Sequence, residues 1–531
     1  MRPEAQPDVA ARASARTTGA SSADAQPRSG LAVVSTLAEQ LDRAGIRYCQ
    51  FKSNWHLDQG VRGLTDLDVL VDPGAGPRLT PVLAAAGYRK FSAPPGGDYP
   101  GVEDYLAMDA ASGRLVHLHL HHQLTTGEPH LKGHRFPWED LVLETRRRDE
   151  DSGFFVSEPG IELLFLLTRN TLKVGTRDRL AAWAGRDPVP GGLTREFQWL
   201  RGRVDADRVV ALGRSLLGAS SEPALRDLLE HGPSPARMRA LRRVAMPVLR
   251  TYRMYTPWRA LIGRWRRRLQ SLGVKLGRRF PAQAGPLSRT DPRGGALIAF
   301  LGPDGAGKSR LTTEIASWLR WKLDARVVYF GSGDGPSSIA RWPLKLALRL
   351  VRRLRPAKPP ATGPAGGGAA RGSDSGAGRG ARPGLARAVW ALVLALEKRQ
   401  TLRRARRARD RGIVIVCDRY PQNQVMGFND GPLLAVWSRS PSRLLRALAA
   451  WESIPYVRAE TDPPRLVVKL RVSPEVAIRR KPDMHPEEIV RRNAALERFR
   501  YPAGTRVVEL SGDRPWESVL LEAQRAVWAV L

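Results

Sequence analysis

The segment of residues 294–331 constrains the fold of this chain more than any other part of the sequence. An apolar run, ALIAFL, leads directly into GPDGAGKS at residues 302–309, and leucine and isoleucine then recur at helical spacing from Leu311 to Leu323. A strand, a glycine-rich loop and an amphipathic helix in this order predict one βα unit of a parallel sheet. We call residues 302–309 the glycine loop.

The glycine loop fits the pattern G-x-x-x-x-G-K-S/T. Its glycines let successive backbone N–H groups point at phosphate oxygens, and the positive end of the following helix reinforces them. Lys308 adds a charge that reaches the outer phosphates, and the Ser309 hydroxyl is placed to ligate Mg²⁺. The alternative is a glycine-rich turn that binds no ligand. The residues predicted to hold phosphate are Gly302, Gly305, Ala306, Gly307, Lys308 and Ser309.

Three further apolar runs, at residues 412–418, 465–472 and 505–512, alternate with helical segments and predict a parallel sheet covered on both faces. The first run ends in Asp418. An acid at the carboxyl end of such a strand lies beside the glycine loop, where it can hold Mg²⁺ or a substrate hydroxyl. Arg419 suits bidentate phosphate binding. The alternative is a strand-ending Asp418 that pairs with its neighbour Arg419.

The motifs FLGPDGAGKSRL, CDRY and SPEVAIRRKPDMHPEEIVRRN resemble the thymidylate kinase family of P-loop nucleotide kinases, over about residues 294–531. The resemblance implies a doubly wound α/β fold with Mg-ATP as the phosphoryl donor. It also implies that Asp304 and Asp418 face the acceptor. A basic helix with a solvated face would explain the last motif as well. The residues that the resemblance places over the phosphates are Arg479, Arg480 or Lys481.

The acceptor stays open, because two acceptor-binding segments of that family differ here. FGSGDGPSS follows the second strand, and PQNQVMGFNDG follows the DRY motif. The leading hypothesis is an ATP-dependent phosphotransferase that acts on a nucleotide, a sugar or a glycan precursor. The alternative is a non-catalytic, regulatory nucleotide-binding protein that docks on a membrane or on nucleic acid.

A second candidate site lies in the segment GLTDLDVLVD of the N-terminal region. Asp66 and Asp68 stand two residues apart, so a strand would present both on one face, where they can hold a divalent metal with nucleotide phosphates. The pattern resembles the nucleotidyltransferase superfamily, with Lys52 and Ser53 in place of its Gly-Ser turn. The strand expected to carry a third carboxylate reads VHLHLHH.

The histidines of that strand leave three interpretations open. His117, His119 and His121 share one face and could bind a metal, but neutral imidazole does not replace a carboxylate's charge. The site is then an active nucleotidyltransferase, an altered site kept for binding, or a structural feature in which Asp66 caps a turn and the histidines line a half-buried sheet. Asp109, beside a predicted hairpin turn, is another candidate for the third acid.

The net charge of +34, from 86 Lys and Arg against 52 Asp and Glu, favours polyanionic partners. Residues 235–290 hold fifteen basic residues, no acidic one, and Trp and Tyr. This segment suits an anionic membrane surface or nucleic acid; a solvated helical connector is the alternative.

The sequence predicts five regions. They are a disordered tail (1–30), a nucleotidyltransferase-like domain (31–150), a helical extension (151–234), a basic linker (235–293) and a P-loop kinase-like domain (294–531) with a flexible insertion (356–385).

Two cysteines, Cys49 and Cys417, lie in strand-like runs and predict buried thiols in a reducing cytoplasm rather than a disulfide framework. No run of 18 apolar residues occurs, so we expect no transmembrane helix. We expect a cytoplasmic protein. Peripheral attachment at the inner membrane face and assembly as a homodimer both stay open.

Overall fold

The structure is a computed structural model, and its contacts divide the chain into two compact units. Unit 1 comprises Met1–Arg293 and Trp318–Asp324, and unit 2 comprises Gly294–Ser317 and Ala325–Leu531. The predicted tail and insertion lie outside the described residues, except for Gly30 and Leu385. The residues described are 30–127, 130–173, 191–277, 285–331, 385–425, 431–482 and 485–531.

Unit 1 is built on a mixed sheet. Its described strands are β1 Tyr48–Gln50, β2 Leu67–Val71, β3 Arg89–Phe91, β4 Val102–Met108, β5 Leu115–His121, β6 Leu124–Thr126, β7 His134–Phe136, β8 Arg147–Arg148 and β9 Phe155–Val156. The sheet has the strand order β3-β4-β5-β2-β1-β9-β8, and β6 and β7 form a separate antiparallel pair. Strand β2 runs parallel to β5, and Asp68 lies opposite His119 in that register. The strand expected in GLTDLDVLVD is present as β2, which carries Asp68 and begins just after Asp66.

Helices cover both faces of this sheet. They are α1 Ala32–Arg43, α2 Leu57–Val61, α3 Gly76–Ala85, α4 Glu139–Glu144, α5 Pro159–Thr171, α6 Gly191–Arg201, α7 Ala206–Leu217, α8 Glu222–His231, α9 Pro235–Thr251 and α10 Pro257–Gly277. One face packs on α1 and α3, where Leu37 and Leu83 are buried against Val69. The other face packs on the later helices, with Leu70 in the same core as Leu164.

The segment expected to be a linker begins as part of this core. Helix α9 starts at residue 235 and buries Met238, Leu241 and Leu249 among the preceding helices. Pro247 lies inside α9 without ending it. Pro257 is the first residue of α10, where proline is tolerated because the first N–H of a helix has no intrahelical partner. The prolines therefore leave a continuous α10 of 21 residues.

Unit 2 is built on a five-stranded sheet. Its described strands are β10 Leu297–Leu301, β11 Ala325–Tyr329, β12 Val414–Asp418, β13 Leu466–Arg471 and β14 Arg506–Ser511. Their order is β11-β12-β10-β13-β14, and every pairing is parallel. All residues of β10 and β12 are buried, as the apolar runs require of strands covered on both faces. The predicted α/β class with a parallel sheet is confirmed.

The helices of unit 2 connect these strands. They are α11 Lys308–Arg320, α12 Leu385–Arg409, α13 Arg443–Thr461, α14 Pro474–Arg480, α15 Pro486–Arg498 and α16 Trp516–Val530. Leu402 of α12, Ala459 of α13 and Leu496 of α15 share one core with Ala299 and Ile415 of the central strands. The two cysteines are free and buried. In the described part of the chain, no helix has the length and apolar character needed to cross a bilayer.

Candidate functional site

The glycine loop joins the end of β10 to the start of α11, at the carboxyl edge of the parallel sheet. Its glycines are sterically required. A Cβ on Gly302 would stand 2.6 Å from the carbonyl oxygen of Leu470, a distance that forces the backbone to move. Gly305 and Gly307 have φ angles of +80° and +90°, which side chains with a Cβ rarely adopt. The loop therefore keeps its tight path only with glycine at these positions.

Lys308 is buried at the base of the glycine loop. Its ammonium donates a hydrogen bond of 2.6 Å to the carbonyl oxygen of Pro303 and lies 3.8 Å from Oδ1 of Asp304. Burial and the nearby positive charge of Arg419 lower the pKa of Lys308 to about 8. The lysine is therefore charged at neutral pH. A bound anion beside its ammonium would raise the pKa of Lys308 toward the ordinary value of lysine.

Asp418 is held beside the glycine loop by the sheet. It ends β12, opposite Phe300 on β10 and Tyr329 on β11. Its Oδ2 accepts a hydrogen bond of 2.6 Å from the hydroxyl of Ser309. Its Oδ1 is buried and has no hydrogen-bond partner among the described residues. A hydroxyl oxygen and a carboxylate oxygen that converge in this way match the oxygen ligands that Mg²⁺ takes.

Three cations surround the carboxylate of Asp304, which lies inside the glycine loop. Arg419 donates to Oδ1 at 3.0 Å, Arg492 donates to Oδ2 at 2.6 Å, and Lys308 lies close by. Burial acts to raise the pKa of Asp304, but Lys308, Arg419 and Arg492 outweigh it and lower this pKa. Arg419 has a φ of +69°, a strained conformation for a residue with a side chain. The guanidinium of this residue contacts Asp304 in the loop.

The arginines predicted to close over the phosphates fall in different places. Arg480 donates to the carbonyl oxygens of Gly305, at 3.4 Å, and Gly512, at 2.8 Å. Arg479 and Lys481 have exposed side chains. Sequence reasoning did not single out Arg492, which lies one helical turn beyond Glu488 on α15 and pairs with it at 2.5 Å. That spacing between an acid and an arginine was the available signal.

The second site is a cluster of three acids and three histidines on the sheet of unit 1. Asp66 precedes β2 and Asp68 lies on it, the histidines lie on β5, and Asp104 lies on the neighbouring strand β4. In the register of β4 and β5, Asp104 stands opposite His119. We call this set the acid–histidine cluster; its members are Asp66, Asp68, Asp104, His117, His119 and His121.

Acids and histidines alternate through the cluster. Nδ1 of His117 lies 2.9 Å from Asp66, and its Nε2 lies 2.8 Å from Oδ1 of Asp104. The ring of His119 bridges Asp104, at 3.0 Å, and Asp68, at 3.4 Å. His121 lies 3.6 Å from Asp68. The structure therefore brings Asp66 and Asp68 together with all three histidines.

Each carboxylate of the cluster also faces a cation within unit 1. Lys52 lies 3.0 Å from Asp68, Arg289 lies 2.8 Å from Asp104, and Lys322 lies 2.5 Å from Asp66. Burial alone would raise the pKa of each acid, but the histidines and these cations lower all three. The carboxylates are therefore ionised at neutral pH.

The histidines titrate differently from one another. Burial lowers the pKa of His121 to about 3 and lowers that of His117. Burial opposes the charged form of His119 too, but Asp104 and Asp68 outweigh it and raise the pKa of His119. His121 is thus a neutral imidazole at pH 7, the form that ligates metals.

Asp104 is an acid of the cluster that sequence reasoning missed. It comes from the strand beside the histidine strand, and no motif in the sequence marks it. Asp109, the candidate named earlier, instead closes the hairpin turn by accepting hydrogen bonds from the backbone N–H and the hydroxyl of Ser112, at 2.9 Å and 2.7 Å. The register of β4 against β5 brings Asp104 to the cluster and leaves Asp109 outside it.

The turn that replaces the Gly-Ser turn is also well defined. Ser53 has a φ of +59°, and the following Asn54 is anchored by the buried Glu162 of α5. The backbone N–H of Asn54 donates to Oε1 at 2.9 Å, and its amide donates to Oε2 at 2.7 Å. Burial raises the pKa of Glu162 to about 7. This anchor fixes the chain next to Lys52 and hence next to Asp68.

The acid–histidine cluster has the donor set of a metal site. Asp68, His119 and His121 form one group whose ligand atoms lie within 4.8 Å of one another, and Asp104, His117 and His119 form another. Both ring nitrogens of His121 are buried and make no hydrogen bond among the described residues, although its Nε2 lies 3.6 Å from Asp68. Buried polar atoms left unpaired in one place are costly unless a ligand satisfies them.

These observations define an α/β protein with two candidate sites, a glycine loop beside an acid in unit 2 and a metal-type donor set in unit 1. No protein family model matches the chain. An alignment over 234 residues, 44% of this chain, is 32% identical to the uncharacterized ATP-binding protein YghR of Escherichia coli K12 and covers 86% of that protein. The chain therefore belongs to the family of YghR. The uncharacterized ATP-binding protein YghS of the same strain is 26% identical over 236 residues, 93% of its length.

Proposed function

We propose that unit 2 binds Mg-ATP and transfers a phosphoryl group to a small-molecule acceptor, as a P-loop kinase of the thymidylate kinase type. The observation that carries the proposal is the pair formed by Ser309 and Asp418, whose second carboxylate oxygen is buried and unpaired at the end of the glycine loop. The names of YghR and YghS, both uncharacterized ATP-binding proteins, support ATP as the nucleotide. The strand order and the glycine loop support the kinase-type fold.

In this proposal the glycine loop cradles the phosphates. Backbone N–H groups from Gly302 to Ser309 and the N-terminal end of α11 face the nucleotide, and Lys308 contributes its charge to the outer phosphates. Ser309 and Asp418 hold Mg²⁺. When bound there, Mg²⁺ would supply positive charge that offsets the negative charge of the phosphates during transfer.

The arginines around Asp304 supply the remaining positive charge. In the structure, Arg419 and Arg492 both form ion pairs with the Asp304 carboxylate. This carboxylate supplies the negative charge between the two guanidinium groups. A phosphate oxygen can compete for the same guanidinium groups, since Arg binds phosphate with the geometry it uses for carboxylate. Asp304 would then be released toward the acceptor hydroxyl. Arg480 supports the back of the loop through Gly305.

The same geometry separates the kinase from a regulatory nucleotide-binding protein. A protein that only binds ATP requires the glycine loop, Lys308 and a Mg²⁺ ligand, but it has no need for a second carboxylate inside the loop. Asp304, held between Lys308 and two arginines, favours transfer chemistry, which depends on positioned charge.

Acceptor-dependent turnover of ATP tests the proposal. We would incubate the full chain with Mg-ATP and a panel of nucleoside monophosphates, sugars and sugar phosphates, and measure ADP release and acceptor phosphorylation. We expect turnover with one acceptor class, and loss of both binding and turnover in Lys308→Ala. Tight Mg-ATP binding without turnover over the whole panel would instead favour the regulatory protein.

A second candidate function belongs to unit 1. We propose that the acid–histidine cluster binds a divalent metal, with Asp68, His119 and His121 as ligands and with Asp66 and Asp104 beside them. Nδ1 of the buried His121, which has no hydrogen-bond partner among the described residues, supports this proposal. Mixed imidazole and carboxylate ligands suit Mn²⁺ or Zn²⁺ better than Mg²⁺. The resemblance to the nucleotidyltransferase superfamily extends this proposal to nucleotidyl transfer at the same site.

Metal content measured after dialysis against Mn²⁺ or Zn²⁺ tests this candidate. We expect stoichiometric metal in the wild type and loss of it in His121→Ala. His122→Ala is the matched control, because His122 is adjacent in sequence but points to Glu103, 3.7 Å away. Equal metal content in both variants would refute the ligand set.

A nucleotide-transfer assay that compares Asp68→Ala with the wild type tests nucleotidyl transfer at this site. Equal activity of the two proteins would remove Asp68 from catalysis.

A further inference from the structure

Helix α10 presents an apolar face to solvent. None of its residues is buried, and Trp258, Ile262, Leu269 and Leu276 are each more than 60% exposed. The exposed apolar residues recur every three or four positions, so they form one continuous band along the helix. We call this band the apolar stripe; its members are Trp258, Leu261, Ile262, Trp265, Leu269, Leu272 and Leu276.

The opposite face of α10 is the one that contacts the rest of unit 1. A Cβ on Gly263 would lie 3.0 Å from Cδ1 of Leu131, so the helix approaches closely there. Arg267 donates to the carbonyl oxygen of Gly96 at 3.2 Å, and its guanidinium lies 4.9 Å from the ring centre of Tyr99. Ordinary amphipathic helices bury their apolar face. Helix α10 does the reverse, because its small and polar residues are docked and its apolar stripe faces outward.

Basic residues border the apolar stripe on both sides. At about 100° per residue, the stripe covers an arc of about 100°, with Arg259 and Arg266 along one edge. Arg268 and Lys275 lie along the other edge, and no acidic residue occurs between positions 235 and 290. An apolar band between two basic edges fits a surface that is itself apolar inside and negatively charged outside.

We propose that α10 lies flat on an anionic lipid surface and attaches the protein to it peripherally. The apolar stripe enters the boundary between headgroups and acyl chains, and the bordering arginines contact lipid phosphates. Trp258 and Trp265 belong at this boundary because indole rings prefer it. Helix α10 lies on the surface without crossing the bilayer, as its basic residues require.

The charge pattern favours lipid over the other two occupants. A nucleic acid would gain from the basic edges, but the aliphatic residues of the stripe would face phosphates and water. A second copy of α10 could cover the stripe, but it would bring its own basic edges against those of the first copy, and like charges repel. Of these three occupants, an anionic bilayer is the one that satisfies both the stripe and its edges.

Vesicle flotation of the full chain tests this proposal. We expect the protein to float with phosphatidylcholine vesicles that contain phosphatidylglycerol and not with pure phosphatidylcholine. Leu269→Glu should lower the bound fraction by about tenfold or more, since it puts a charge into the apolar stripe. Leu444→Glu is the matched control, because Leu444 is 68% exposed against 63% for Leu269, and it should float like wild type.

A second variant separates the electrostatic contribution. Arg266→Ala combined with Arg268→Ala should weaken flotation about tenfold at low salt and less at high salt, where these charges are screened anyway. Three results would overturn the proposal. The first is absence of flotation of the wild type, and the second is equal flotation of Leu269→Glu and Leu444→Glu. The third is a wild-type dimer that Leu269→Glu converts to a monomer without changing flotation, which would assign the stripe to a second copy.

Discussion

Arg492 and Asp304 stand 188 positions apart in the sequence, yet Nη1 of the arginine donates to Oδ2 of the aspartate over 2.6 Å. The contact connects α15 directly to the glycine loop. Glu488, one turn earlier on the same helix, accepts a hydrogen bond of 2.5 Å from Nη2 of the same guanidinium. The arginine is therefore oriented toward the loop before any ligand arrives.

This orientation makes Arg492 the arginine most sensitive to substitution. Arg492→Ala should lower kcat for ATP turnover by about a hundredfold, the usual effect of removing one positioned donor to a transferring group. Arg479→Ala should have little effect, because that side chain is exposed on α14. Steady-state kinetics with the identified acceptor would compare the two. Equal losses would mean that the arginines act only through general positive charge.

Gly302 offers a test of the backbone path of the glycine loop. Gly302→Ala would place a Cβ 2.6 Å from the carbonyl oxygen of Leu470, so the loop must shift and should lose most of its affinity for Mg-ATP. The cost in stability should be about 1–3 kcal/mol, as for other overpacked sites. Gly504→Ala has open space around it and serves as the control. Isothermal titration with Mg-ATP and thermal melts measure both effects.

The pKa of Lys308 predicts how nucleotide affinity depends on pH. Since burial and Arg419 lower this pKa to about 8, the free protein loses the lysine's charge as the pH rises through that value. The Kd for Mg-ATP should therefore rise above about pH 8. In Lys308→Ala, affinity should be weak and flat over the same range. A wild-type Kd that does not change between about pH 7 and 9.5 would contradict the assignment.

Glu162 predicts a pH effect on stability rather than on binding. Its pKa is raised from 4.5 to about 7, so the folded chain binds a proton that the unfolded chain has lost. The stabilisation is complete below about pH 4.5 and disappears as the pH rises through 7, with a change of about 3 kcal/mol. Glu162→Gln removes this group.

Urea denaturation would therefore be compared for wild type and Glu162→Gln near pH 5 and near pH 7.5. The wild type should lose stability relative to the variant as the pH rises. A constant difference between the two proteins would show that Glu162 keeps the same protonation state when the chain unfolds.

Local patterns in the sequence predicted much of the fold. The apolar runs that became β10, β12, β13 and β14 are long, continuous and bounded by turns, so their strand character does not depend on distant contacts. The glycine loop carried its own signal, since the positive φ angles at Gly305 and Gly307 have few alternatives to glycine. The roles assigned to its residues stay predictions until nucleotide binding is measured.

Contacts between distant segments limited the rest. Asp104 joins the acid–histidine cluster only through the pairing of β4 with β5, and an isolated aspartate on a strand carries no mark of that partner. Arg492 is one of several arginines in its segment, and the choice among them depends on how α15 lies over the loop. The outward apolar face of α10 was likewise hidden, because the same spacing of Trp and Leu is expected of a helix that buries them.

The sheet fixes the position of Asp418 before any ligand binds. Its backbone is paired to β10 on one side and to β11 on the other, so its carboxylate is immobilised when the chain folds. The guanidinium of Arg492, at the end of a long side chain, can still exchange Asp304 for another anion. Ligand binding should therefore move Arg492, while Asp418 keeps the position that it has in the free protein. Crystallographic displacement parameters should therefore be low at Asp418 and should change most at Arg492 between the free and the nucleotide-bound protein.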